Sequence, residues 1–154
     1  MFVSTLMIVF HILAAVVWVG GMFFAHVALR PSIGALEPPQ RLKLMHDVLG
    51  RFFTWVWVAV IVLPTSGYIL IFAIYGDLST SPVYMHVMQA VGWLMIALFF
   101  GLFAVPYQRF TAAIAAQDWP SAGSHLAPIR HIVAINLLLG LITAAIGASG
   151  RFWG

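Results

Sequence analysis

Four stretches of this chain are each long and apolar enough to cross a lipid bilayer, and little sequence is left over for anything else. A hydrocarbon core of about 30 Å takes about 20 mostly apolar residues as α-helix. The stretches run from about Phe2 to Ala28, Phe52 to Tyr75, Tyr84 to Tyr107 and Ile129 to Gly150. Lipid offers no hydrogen bonds, so each stretch is expected to satisfy its own backbone as a helix. Segments with turn chemistry separate them: Arg30 to Arg51, Gly76 to Pro82, and Gln108 to Pro128. Pro31, Pro38, Pro39, Pro82, Pro120 and Pro128 fall in or beside these connections, where a missing N–H does least harm. Pro64 and Pro106 do not, and Pro64 with Thr65, Ser66 and Gly67 predicts a kink in the second helix. The fold expected is an all-α integral membrane protein, one domain over residues 1–154. Its four transmembrane helices form a left-handed up-down bundle. The first apolar run lacks a basic leader and is too long for a signal peptide, so it reads as a permanent helix.

Composition narrows the chemistry. Hydrophobic residues make up 63% of the chain and charged residues 7%, against about a quarter charged in a soluble domain. Cysteine is absent, which excludes disulfides, thiolate metal sites and iron–sulfur clusters. The net charge of +3 is not spread as a nucleic-acid surface requires. The carboxylates Glu37, Asp47, Asp77 and Asp118 all lie between the apolar runs. No nucleophile motif or phosphate-binding glycine loop accompanies them, so hydrolytic chemistry has little support.

Lys and Arg in short loops set membrane orientation. Arg30, Arg41, Lys43 and Arg51 flank the first connection and Arg109 and Arg130 the third; only Arg151 falls at the other end. The first and third connections are therefore expected in the cytoplasm of a bacterial inner membrane, with both termini periplasmic. Trp153, Tyr75 and Tyr84 would mark the outer interface, and Trp55, Trp57, Tyr107 and Trp119 the cytoplasmic one.

Against so apolar a background the histidines stand out. His11 falls about eight residues into the first helix, and His86 just inside the third, both toward the outer side. His26 lies near the cytoplasmic end of the first helix and His46 just before the second. His125 falls in the third connection, and His131 opens the fourth helix. An ionisable residue inside a membrane is a functional candidate by default, although a neutral imidazole also serves as interhelical glue. At 100° per residue, His11, Ala14, Ala15, Trp18, Met22 and Ala25 share one face of the first helix. His26 follows within about 60° of His11 and about 22 Å further along the axis. His11 and His86 are expected to form one outer site, and His26 could meet His46 or His131 at the inner end. Gln89, Asn136 and Thr143 are expected to hydrogen-bond between helices. Gly20-Gly21 and the face of Gly140, Ala144, Gly147 and Ala148 are expected to pack closely.

Imidazole suits iron, copper, zinc and nickel. Two facing imidazoles suit a haem, with Trp18 and Met22 against the macrocycle. Met85 and Met88, which flank His86, and more distant Met7, Met22 and Met95 offer thioethers that favour reduced copper.

The first helix, His11-Ile-Leu-Ala-Ala-Val-Val-Trp18-Val-Gly20-Gly21, resembles the opening helix of the copper resistance protein D (CopD) superfamily. That superfamily also contains the membrane protoporphyrinogen oxidases of the HemJ type. Met45-His46 through Arg51-Phe52 resembles the start of its second helix, and Tyr84-Met85-His86-Val87-Met88 resembles the oxidases' Trp-Leu-His-Val-Lys segment, with Met88 in place of the Lys. The resemblance implies a four-helix, histidine-bearing membrane module that binds haem or handles copper, with His11 and His86 at positions that serve haem or substrate in the oxidases.

The readings rank as follows. First comes a haem b protein of electron transfer or porphyrin-linked redox chemistry, a possible oxidoreductase, with His11 and His86 as ligands. Second is copper binding or transport. Third is a protoporphyrinogen oxidase-like enzyme, and fourth a structural subunit. The partners expected are the lipid bilayer, a redox protein or quinone, and a second copy of the chain. A reporter fused after Gly154 should be active only when it functions in the periplasm, and cytoplasmic activity would invert the orientation.

Overall fold

The computed structural model describes residues 2–152, and Trp153 lies outside them. Four helices are long and apolar enough to cross a membrane: α1 (Phe2–Ser32), α2 (Pro38–Tyr75), α3 (Val83–Ala115) and α4 (Trp119–Phe152). The chain is a multi-pass membrane protein, and no strand occurs among the described residues. Contacts run antiparallel throughout. His11 meets Ser66 across α1 and α2, Trp57 meets Phe99 across α2 and α3, and Gly147 meets Met88 across α4 and α3. Going round the bundle the order is α1, α2, α3, α4, and α1 and α3 face each other diagonally without close backbone contact.

The expected spans are corrected at their basic ends. α2 starts at Pro38 rather than Phe52, and α4 at Trp119 rather than Ile129, while α3 continues to Ala115. The apolar runs mark only what lipid must cover, whereas the helices continue as amphipathic rods. Leu42, Met45 and Leu49 are buried at helical spacing ahead of Phe53, as are Ala122, Leu126 and Ile129 ahead of Val133. At 1.5 Å per residue the 38 residues of α2 span about 57 Å, well beyond a hydrocarbon core. His46 and His125 therefore sit on helices rather than in loops. Pro38 and Pro39 open α2, and Pro120 follows Trp119 in the first turn of α4, where a missing N–H costs nothing. Pro128, expected at a boundary, lies inside α4.

The connections are short and self-capped. Gly76 ends α2 at φ 77° with its N–H on the Phe72 carbonyl. Gln117 takes a left-handed φ of 56° where α3 turns into α4. Asp118 accepts a hydrogen bond from the Ser121 N–H at 3.1 Å and caps α4. Hydrogen bonds from the Ser121 side chain and backbone hold its carboxyl below the usual range.

α1 and α3 both widen into a π-helical turn, at Phe24–Leu29 and Phe103–Tyr107. Each lies near a proline, Pro31 or Pro106. A proline cannot return an amide proton to the carbonyl four residues earlier, so the local ladder shifts register.

Rings fill the space between α2 and α3. Trp57 meets Phe99, Phe100 and Phe103 edge-on at centroid distances of 5.0–5.3 Å, and Phe53 meets Phe99 and Tyr107 likewise. Trp57 and Tyr107 are thus packing residues rather than interfacial markers. Elsewhere, glycine brings helices together. A Cβ on Gly21 would collide with the Phe52 ring, and one on Gly140 would lie 2.8 Å from Val19 and 3.2 Å from Met95. Gly20 faces open space. Ala144 and Ala148 are exposed, so only the glycines of that face make the close approach. Asn136 bonds between helices as expected, its Nδ2 donating to the Met95 carbonyl at 3.1 Å. Thr143 turns back to Leu139 of its own helix, and Gln89 Nε2 is buried without a partner.

Overpacking a close contact costs about 1–3 kcal/mol. Gly21→Ala should therefore lower the thermal unfolding midpoint in detergent, whereas Gly20→Ala should leave it unchanged or raise it. Equal effects would refute the α1–α2 register.

Candidate functional site

His11 occupies the half-buried flank of α1 that faces α2. Its Nδ1 lies 2.9 Å from Ser66 Oγ. That hydroxyl has a single proton, and it is directed at the Val62 carbonyl, 2.6 Å away, with Leu63 O a longer second acceptor. Ser66 must then accept from His11, which places the imidazole proton on Nδ1 and the lone pair on Nε2. Ser66 itself is 2% exposed. Gly67 lies against the same ring, an ordinary van der Waals contact of 3.4 Å for a Cβ placed there. The Pro64–Gly67 stretch, flagged for a kink, is thus also the seat of His11. Sequence reading missed Ser66 as a partner. The available signal was a hydroxyl in an apolar span at the antiparallel position opposite a histidine.

His86 repeats the arrangement at the first turn of α3. Its Nε2 lies 3.2 Å from Ser81 Oγ, and the Ser81 hydroxyl donates to the Leu78 carbonyl at 2.6 Å. Ser81 Oγ is thereby left to accept from His86 Nε2, the tautomer that leaves the lone pair on Nδ1. The ring belongs to an exposed residue at the bundle end opposite the basic one. Met85 and Met88, its near neighbours in sequence, are half-buried, and Met88 packs against Gly147 of α4. Each imidazole is engaged separately, His11 by α2 and His86 by the 76–82 connection. No hydrogen bond or ring contact joins the two among the described residues.

The remaining histidines gather at the basic end. His26, in the π turn of α1, lines a small cleft with Arg30 and Arg130. His46 stacks on Tyr107 at 6.1 Å with its Nε2 3.3 Å from Thr111 Oγ1 and its Nδ1 3.5 Å from Asp47. His131 is exposed and donates from Nδ1 to the Ala127 carbonyl of its own helix at 3.0 Å. It is not among the side chains that line the cleft beside His26. His125 lies on the second turn of α4. Among the described residues no three His, Asp or Glu side chains converge as a metal cage would need.

The haem expectation does not fit these residues. Trp18 and Met22, expected against a macrocycle, are 3% and 2% exposed within a continuous core. Trp18 meets Phe99 edge-on at 6.3 Å. A cavity of about 200 Å³ is a groove between α1 and α2 lined by apolar side chains such as Phe10, Val17 and Trp55, and no histidine borders it. Cofactor sites usually take about 300–1,000 Å³. Neither this groove nor the cleft beside His26 is bordered by His11 or His86.

No curated protein and no solved structure matches the sequence. A family model described as Copper resistance protein D matches residues 46–149, which takes in most of α2, all of α3 and almost all of α4. Ser66, Ser81, His86, Met85 and Met88 fall inside the match, and α1 with His11 precedes it. As the match covers well over half of the sequence and the helical membrane architecture agrees with it, the chain belongs to the copper resistance protein D family.

Proposed function

We propose that this protein handles copper in the bacterial inner membrane, taking the ion as cargo through histidine and methionine side chains, with its basic end in the cytoplasm. The observation that carries the reading is the His11–Ser66 hydrogen bond. It fixes a neutral imidazole inside an apolar span with its lone pair turned out on Nε2, the form in which imidazole binds a soft metal. His86, engaged at Nε2 by Ser81, offers Nδ1 as a second such nitrogen in a segment that also carries Met85 and Met88. Reduced copper accepts few ligands and favours thioethers, so separate low-coordination stations suit it better than a closed cage. The family assignment supports copper over haem and over porphyrinogen oxidation.

Second-shell hydrogen bonds to a ligating histidine are commonly worth about 10–100-fold in metal affinity. The purified protein should retain reduced copper against a chromogenic chelator. Ser66→Ala should weaken that retention about tenfold or more, and His11→Ala should weaken it further. His125→Ala should change nothing. A protein that held no copper and showed a Soret band would overturn the reading in favour of haem.

A further inference from the structure

We propose that the cleft where α1, α2 and α4 meet at the basic end is a binding site for the phosphate of an anionic phospholipid. This inference is independent of the copper reading. His26 and Arg30 of α1 and Arg130 of α4 border the cleft, and Leu49, Leu126 and Val133 are among the side chains that close it below. Arg41 of α2 stands near enough, with Arg30, to repel the Arg130 guanidinium electrostatically. No carboxylate answers these three charges. Among the described residues Asp47 pairs only with His46, and neither Glu37 nor Asp118 makes an ion pair. Arg41 Nε and Arg130 Nε are moreover buried and make no hydrogen bond.

Like charges gathered round the Arg130 guanidinium, with two buried donors that make no hydrogen bond, are unfavourable unless an anion joins them. Arginine pairs best with a planar or tetrahedral oxyanion, and phosphate fits its fork. The cleft holds about 20 Å³, room for one oxygen-sized atom. A phosphate oxygen entering it would leave the rest of the headgroup at the open mouth. The closing side chains decide the source. A free phosphate ion gains nothing from Leu49, Leu126 and Val133, whereas a lipid lays its glycerol and acyl carbons against them. Basic pockets between transmembrane helices on the cytoplasmic side take anionic headgroups in this way.

The test follows thermal unfolding of the whole protein in a neutral detergent while phosphatidylglycerol, phosphatidylcholine or inorganic phosphate is titrated in. Phosphatidylglycerol should raise the midpoint, and the other two should not at matched concentration. Each cationic side chain at a membrane surface is worth about fivefold in affinity for anionic lipid. Arg130→Gln should therefore raise the half-saturating phosphatidylglycerol concentration about fivefold or more. Arg109→Gln, exposed on α3 at the same end, should not. Should Arg130→Gln fail to fold, Arg30→Gln on the exposed rim carries the same expectation. Equal shifts by phosphatidylcholine and phosphatidylglycerol would overturn charge recognition, and an equal shift by inorganic phosphate would overturn the lipid source. An unchanged titration in the arginine variant would overturn the site.

Discussion

Water is missing from the interior of a bilayer, and most of this structure follows from how its polar groups are satisfied without it. Hydroxyls inside the spans return to their own helix: Thr65 to Ile61, Ser66 to Val62, Thr143 to Leu139 and Ser149 to Ala145. Such back-bonding uses up the hydroxyl proton and leaves only the oxygen lone pairs. Where an imidazole lies across from such an oxygen, as at Ser66, its tautomer is no longer a free choice. The histidine chemistry of this protein is thus a by-product of helix solvation. Ser81, although in a connection, acts alike because its proton is spent on Leu78.

Helix packing shows two solutions to the same problem of adhesion in lipid, where apolar surface alone does not drive association. Between α1 and α2, and between α4 and its neighbours, glycines let a bulky side chain of one helix meet the backbone of the next, as Phe52 does at Gly21 and Met88 at Gly147. Between α2 and α3 the backbones stay apart and a run of edge-to-face rings bridges the gap. Each such pair contributes about 0.5–1.5 kcal/mol beyond its contact area.

Span number and the inward face of α1 were legible because hydropathy and the 3.6-residue period report them directly. Trp18, Met22 and Ala25 are buried as that period requires. Helix ends at the basic side were not legible. Polar residues and prolines there look like loops, yet Leu42, Met45 and Leu49 keep the period going through them. The family was readable from His46 and the segment around His86, which the family match covers, whereas the His11–Gly21 likeness lies ahead of it. The partner of each histidine was not, because Ser66 and Ser81 are ordinary residues until antiparallel register brings them opposite a ring.

The two π turns carry a consequence for tolerance to length change. A π turn holds one residue more than the α-helical turn it replaces. Deleting a single residue within Phe24–Leu29 would let α1 close into a regular helix, with everything toward the N-terminus keeping its seat. Beyond the deletion, Arg30 would also keep its bearing, because the wide turn already takes up the extra residue. Deleting a residue from the α-helical part of α1 instead would swing one side of the cut by about 100°, and His11 on Ser66 and the Arg30 wall of the basic cleft could not both keep their seats. The wide turn is in this sense a tolerance for length, placed between the chemistry at one end of α1 and the chemistry at the other.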